Sequence, residues 1–226
     1  MIQNNIANIQ QYFNDNSYVV VRNFLSPEIC ALAYEYCKIK AEAMDFKYTY
    51  DRESYNVKWD GTWTDPQVPL AYSHYADPFM EALLKLSHPL MQQYTGKSLS
   101  YNYSYWRLYQ KGNVLERHID RPSCEISTTL CLGYNVSDVD DKTYPDYDWP
   151  MWVKDKTGTE LPIHMKPGDM IIYKGCDLEH WRDKFIGKNH AQLFMHYNDN
   201  NGQYKINHDG RPMLGVPKRN SKLNII

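Results

Sequence analysis

The segment Tyr109-Gln-Lys-Gly-Asn-Val-Leu-Glu-Arg-His-Ile-Asp-Arg-Pro-Ser-Cys-Glu-Ile-Ser-Thr-Thr-Leu-Cys-Leu-Gly-Tyr134 decides how this chain folds. Just before it, Leu99 to Tyr109 alternates and is rich in tyrosine, which suits a strand with one semi-polar face. Gly112 permits a tight turn after that strand, because glycine takes backbone angles that other residues resist. His118 and Asp120 are two apart, so extended backbone puts both side chains on one face. Glu125 to Tyr134 reads as a second strand. Thr128, Leu130 and Leu132 form one of its alternating sets, and Ser127, Thr129 and Cys131 form the other. Either set can face inward, depending on register.

Working outward, the strand signals continue toward the carboxyl end. Trp152-Val-Lys and Leu161-Pro-Ile-His-Met form a predicted hairpin around Lys156-Thr-Gly158. Pro167-Gly-Asp169 reads as a turn, Met170 to Tyr173 as a strand and Ala191 to Tyr197 as another. Toward the amino end the pattern is mostly helical. Residues 5–14 carry Ile6, Ile9 and Phe13 at helical spacing. Tyr18 to Val21 is a β-branched strand. Ser26-Pro27-Glu28 then starts a helix predicted to reach about Met44. Residues 45–75 show no period and are predicted as a long loop with room for one hairpin. Loops of that length inside a domain often serve as lids or binding loops. Asp77-Pro78 opens a helix through Leu86, predicted to kink or restart near Pro89 and to end before Gly96.

The composition narrows the function classes. The chain has 226 residues, 20 of them tyrosine, and a net charge of −2. Apolar content is sufficient for a core, and tyrosine enrichment favours strands. No long basic run exists beyond a short Lys-Arg cluster near 218–222, so electrostatic nucleic-acid binding is not expected. No apolar stretch approaches the ~20 residues of a membrane helix, and the amino terminus lacks a signal-peptide pattern. Cys30, Cys37, Cys124, Cys131 and Cys176 are odd in number and fit neither a disulfide framework nor a zinc ribbon. A cytoplasmic location is the expectation. Asn102-Tyr-Ser and Asn135-Val-Ser match glycosylation sequons, with nothing else to suggest secretion.

His118, Asp120 and the distant His180 are the candidate metal ligands and catalytic centre. Two neutral imidazoles and one carboxylate can cap one face of iron(II) and leave three positions open. A bidentate 2-oxo acid can take two of these and dioxygen the third. The same three residues in an ordinary domain would be plain hydrogen-bonding groups.

The order Tyr109, Gly112, Leu115, His118-x-Asp120, the strand at 126–132, the Pro167-Gly-Asp169 turn and His180 resembles the iron(II)/2-oxoglutarate dioxygenases. The branch it resembles is the prolyl 4-hydroxylase-like one. Val19-Val-Val-Arg-Asn-Phe-Leu-Ser-Pro-Glu28 is similar to the strand-to-helix opening of that branch. Asp120-Arg-Pro-Ser-Cys-Glu-Ile-Ser127, Gly175-Cys-Asp-Leu-Glu-His-Trp-Arg182 and Gln192-Leu-Phe-Met-His-Tyr197 resemble an uncharacterised bacterial and phage group within it. The likeness covers most of 17–200.

The resemblance implies an α+β, mainly β fold with a double-stranded β-helix (jelly-roll, cupin-like) core over 98–200. Supporting helices and loop would occupy 1–97 and a C-terminal extension 201–226, all within one dioxygenase domain. It implies Fe(2+) at His118, Asp120 and His180, with 2-oxoglutarate and O2 as cosubstrates and the need for ascorbate left open. Succinate and CO2 would be released as an unactivated C–H bond is hydroxylated, either on a peptidyl proline or on a free small molecule. Related halogenases replace the carboxylate with a small residue, so Asp120 favours hydroxylation. The branch carries Lys or Arg about ten residues after the distal histidine to bind the far carboxylate of 2-oxoglutarate, and here that position is His190. Arg182, Lys188, Gln192, Tyr109 and Arg107 are the candidates to help or replace it, Arg182 first. Trp152, Trp181 and His196 are candidates for the substrate mouth, the tryptophans more readily as packing. The alternative from another class is a non-catalytic metal-binding or empty cupin-like barrel acting as a binding module.

Overall fold

The computed structural model describes residues 6–218. Helix α1 (Ile6–Asn16) buries Ile9 and Phe13 and leads into strand β1 (Tyr18–Val21). Ser26 caps α2 (Pro27–Tyr50), with Pro27 in the first turn where its missing N–H costs nothing. α2 runs past the predicted end at Met44. No glycine or proline interrupts 45–50, and the Phe46 and Tyr50 rings pack one turn apart at 4.7 Å.

The predicted loop at 45–75 is therefore corrected. It holds the last turn and a half of α2, a short helix α3 (Val57–Asp60) capped by Asn56, and strand β2 (Tyr72–Tyr75). Thr62 pairs with Ser73 as an isolated antiparallel bridge. α4 (Pro78–Thr95) continues unbroken through Pro89, against the predicted restart. Asp77 caps its start, and Met80, Leu84, Ser87, Met91 and Thr95 bury a stripe that spans the proline. Gly96, in the left-handed conformation, ends it.

The rest is strand. The elements are β3 (Leu99–Gln110), β4 (Leu115–His118), β5 (Ile126–Asn135), β6 (Met151–Lys154), β7 (Glu160–Ile163), β8 (Met170–Lys174), β9 (His180–Arg182) and β10 (Asn189–Asp199). They form two antiparallel sheets, six-stranded in the order β1-β8-β5-β10-β3-β2 and four-stranded in the order β4-β9-β6-β7.

One face of the large sheet packs on the helices. Leu130 and Leu132 of β5 lie there with Trp106, Leu193 and Met195 and with Phe13, Met80 and Leu84 of the helices. Cys131 belongs to a second cluster with Met151, Val153, Ile171 and Tyr173. The open question of β5 register is thus resolved: Ser127, Thr129 and Cys131 face away from the helices, toward the smaller sheet. Among the described residues, no helix is long and apolar enough to cross a membrane.

The described part of the C-terminal extension is tied to the body by a buried ion pair, Arg211 Nη2 to Glu81 Oε1 at 2.6 Å. Arg211 also donates to Asn102 O at 2.6 Å. Of the basic cluster near 218–222, all but Lys218 lies outside the described residues.

Candidate metal centre

β4 and β9 pair with His118 directly opposite His180, which closes a gap of 62 residues in one ladder step. Their rings lie 4.2 Å apart between centroids. Asp120 stands just beyond the end of β4, not within it as the spacing suggested, and its backbone N–H donates to Gly175 O at 2.8 Å. A Cβ on Gly175 would fall 2.2 Å from Cys124 O and 2.4 Å from Asp120 Oδ2. Only glycine admits that approach, so the loop after β8 is shaped around the carboxylate. Asp120 Oδ1 then lies 3.7 Å from His118 Nε2 and 3.8 Å from His180 Nε2.

The hydrogen bonds fix the tautomers. His118 Nδ1 is 2.8 Å from Glu116 O, and His180 Nδ1 is 2.9 Å from Leu178 O. A carbonyl only accepts, so each Nδ1 carries a proton, and the neutral form of each ring then presents the Nε2 lone pair beside Asp120 Oδ1. Burial lowers the basicity of His180 still further, although Asp120 opposes this. Ser127 Oγ lies 2.8 Å from the other oxygen of Asp120. Such outer contacts orient metal ligands. Two neutral imidazoles and a carboxylate oxygen, gathered within 4.8 Å of one another, fit a divalent iron with open positions.

These three groups line a cavity of about 570 Å³ that also receives Arg182, Arg107, Tyr173, Met151, Phe194 and His196. Arg182, two residues past His180, is 1% exposed. It donates to Trp149 O and lies over the Trp149 ring at 4.8 Å. Its Nε has no partner, and among the described residues no carboxylate pairs with it. Burial weakens its hold on the proton, and the more distant Asp148 carboxylate only partly opposes this. Gln192 sits behind it. With its amide oxygen toward Arg182 Nη2 (3.3 Å) and His190 Nδ1 (3.2 Å), its nitrogen donates to Thr129 Oγ1 and Leu130 O.

His190, at the position expected for a basic anchor, is enclosed instead. It stacks on Tyr134 and meets Trp149 and Phe185 edge-on. Burial, with Arg182 nearby, holds its pKa well below the ordinary value, so it is a neutral ring. It does not line the cavity, and neither do Tyr109 and Gln192. Tyr109 accepts from Arg107 Nη1 at 3.1 Å, and Lys188 is exposed. Trp152 and Trp181 stack on each other at 6.1 Å, away from the cavity, while His196 lines it.

Residues of the 45–75 segment that the sequence does not single out individually form one wall. Segment 62–67, called the roof, contributes Thr62, Thr64, Asp65, Pro66 and Gln67 to the cavity lining. Asp65 binds Arg107 Nη2 at 2.5 Å and accepts from Tyr105. Gln67 accepts from Arg107 Nη2 at 3.1 Å, and its amide nitrogen lies 3.0 Å from His118 Nε2. Nothing in the local sequence pattern marks Asp65 or Gln67, because neither belongs to a periodic element.

No family model matches the chain, and no curated protein matches it in sequence. Solved structures do. A Pseudomonas putida prolyl-4-hydroxylase superposes with a TM-score of 0.55 at 15% identity, covering 86% of this chain and 99% of its own. The non-heme alpha-ketoglutarate-dependent carbocyclase SnoK from nogalamycin biosynthesis gives 0.66 at 11% identity, covering 96% and 95%. EctD from S. alaskensis with bound Fe gives 0.63 at 14% identity, covering 97% and 90%. The fold of this chain is the fold of these oxygenases, the prolyl-hydroxylase-like one included.

Proposed function

We propose that the protein is an iron(II)- and 2-oxoglutarate-dependent oxygenase built on a double-stranded β-helix, which hydroxylates an unactivated C–H bond and releases succinate and CO2. The observation that carries this reading is one cavity holding both halves of the required chemistry. At one point Asp120 Oδ1 and two lone-pair-bearing imidazole nitrogens converge. Elsewhere in the same cavity, Arg182 offers a buried guanidinium that no carboxylate among the described residues pairs with. Iron(II), when bound by His118, Asp120 and His180, supplies the redox chemistry with dioxygen and the 2-oxo acid.

The chain's own residues do the rest. Glu116 O and Leu178 O hold the two imidazoles in the ligating tautomer, and Ser127 and Gly175 hold the carboxylate. Arg182 takes the far carboxylate of 2-oxoglutarate by charge-assisted hydrogen bonds, with Gln192 and Trp149 fixing its plane. His190, neutral and caged, backs that pocket. The apolar wall of Met151, Phe194 and Leu115 limits access of water.

The cavity favours a free small molecule as substrate. Its volume of about 570 Å³ is that of a ligand pocket. SnoK and EctD, whose structures name a carbocyclase of nogalamycin biosynthesis and, in one complex, 5-hydroxyectoine, superpose with higher TM-scores than the prolyl hydroxylase. A peptidyl proline is the second reading, supported by the likeness to that hydroxylase, and would enter as one inserted side chain.

The test is an anaerobic titration with iron(II) and then 2-oxoglutarate. A visible charge-transfer band is expected, absent in His118→Ala, which keeps the wild-type circular dichroism spectrum. Air and a panel of small molecules and proline peptides should then release succinate. No band and no succinate would leave the non-catalytic barrel as the better account.

A further inference from the structure

Asp120 is also one corner of a second group of donors. Asp120, Cys124 and His196 place their ligand atoms within 4.8 Å of one another, and all three line the cavity. Neither Cys124 nor His196 has a part in the proposed oxygenase reaction. Cys124 is 3% exposed and His196 6%, so both face the cavity and not bulk solvent.

The tautomer of His196 follows from Ser127. The Ser127 hydroxyl has one proton and two neighbouring acceptors, Asp120 Oδ2 at 2.8 Å and Cys124 O at 2.9 Å. His196 Nδ1, at 2.9 Å from the same Oγ, must therefore be the donor. That leaves Nε2 of His196 with its lone pair, as in the two triad histidines. Tyr103 steadies both partners, its ring 4.5 Å from the His196 ring and its hydroxyl 3.0 Å from Cys124 Sγ.

We propose that Asp120, Cys124 and His196 form a second metal site for a thiophilic divalent cation such as zinc, sharing Asp120 with the histidine pair. A thiolate, an imidazole and a carboxylate with one position open suit zinc far better than a hard cation. The carboxylate has an oxygen for each side: Oδ1 lies by His118 and His180, and Oδ2 lies on the Ser127 side, with a ring nitrogen of His196 and Cys124 Sγ gathered within 4.8 Å. Two-metal sites bridged in this manner hold their ions about 3.5–4 Å apart. Binding replaces the thiol proton of Cys124 with the metal and releases that proton to solvent, with no change in oxidation state. Because Asp120 is shared, zinc here weakens the hold of the other site on its own ion. The proposal does not rest on the oxygenase reading.

The experiment uses metal-free, full-length protein titrated anaerobically with cobalt(II) and read by absorption. Wild type should develop a sulfur-to-cobalt charge-transfer band in the near ultraviolet that zinc(II) bleaches. His118→Ala should keep the band, and Cys124→Ser should lose it. Absence of the band in wild type overturns the proposal. Its loss in His118→Ala, or its survival in Cys124→Ser, does the same, the latter by pointing to another cysteine such as Cys176. His196→Gln guards against a folding defect in Cys124→Ser. It should weaken cobalt binding at this band by at least ~10-fold, and wild-type affinity in that variant overturns the proposal.

Discussion

Among the described residues, three buried arginines meet two different fates. Arg211 is locked to Glu81 under the C-terminal segment. Arg107 is locked to Asp65 beneath the roof. Arg182 is as buried as either and pairs with no carboxylate among the described residues. A buried charge without a counter-ion is costly, and folds retain one where a ligand will neutralise it. The first two arginines are therefore read as architecture and the third as a receptor.

Breaking the Arg211 pair should have the largest effect. Glu81→Gln leaves a buried guanidinium without its counter-charge and also disturbs the bonds from Ser104 N and Gly215 N. A stability loss of about 3–5 kcal/mol is expected, measured by urea unfolding. If the loss is below about 1 kcal/mol, the pairing does not carry the architecture assigned to it.

Arg182→Met should behave in the opposite manner. Removing a charge that no carboxylate pairs with offsets the loss of its bonds to Trp149 O and Gln192, so the unfolding midpoint should change little. The affinity for 2-oxoglutarate should fall by about 2–4 kcal/mol, the cost of removing one side of a buried charge pair. Isothermal titration with the iron-loaded protein measures it. A variant that unfolds but, where folded, binds 2-oxoglutarate normally would make Arg182 a third structural arginine.

Much of this was legible in the sequence, for definable reasons. His118 and Asp120 announced themselves by period and by the glycine turn before them, and His180 by the Pro-Gly-Asp turn. Arg182 was legible only as a residue two past His180. What the local pattern could not carry was pairing across long separations. Arg107 meets Asp65 across 42 residues, and His118 meets Gln67 across 51. Both partners come from an aperiodic segment. The same blindness misplaced the end of α2, where no breaker marks a stop and aromatic packing carries the helix to Tyr50.

Asp65→Asn tests the intermediate case. Asp65 is partly exposed, and Gln67 N and Tyr105 also donate to it, so the expected loss is smaller, about 1–3 kcal/mol. Hydrogen exchange should rise across 62–67. pH gives a second reading. Burial works against the ionised carboxyl, but the Arg107 charge and the bonds from Tyr105 and Gln67 outweigh it and hold the Asp65 pKa below the usual value. A depressed folded pKa stabilises above the unfolded value near ~4 and is lost as pH falls through the folded one. Acid should therefore loosen the roof in wild type and change little in Asp65→Asn. Equal acid sensitivity in both would remove Asp65 as the latch.

The smallest effect is expected at His190, and that smallness is informative. Were the branch pattern followed, this position would bind the far carboxylate directly, and its loss would be as damaging as that of Arg182. Its ring is instead sealed among Tyr134, Trp149 and Phe185, with burial keeping it neutral. Its Nε2 already lacks a partner, so an apolar ring of similar size relieves one buried polar atom and offsets the loss of the 3.2 Å contact between Nδ1 and the Gln192 amide oxygen. His190→Phe should keep 2-oxoglutarate affinity within a few-fold of wild type and hold or raise the unfolding midpoint. A loss matching that of Arg182→Met would mean the histidine is charged when cosubstrate binds. The anchor would then be a pair and not a single guanidinium.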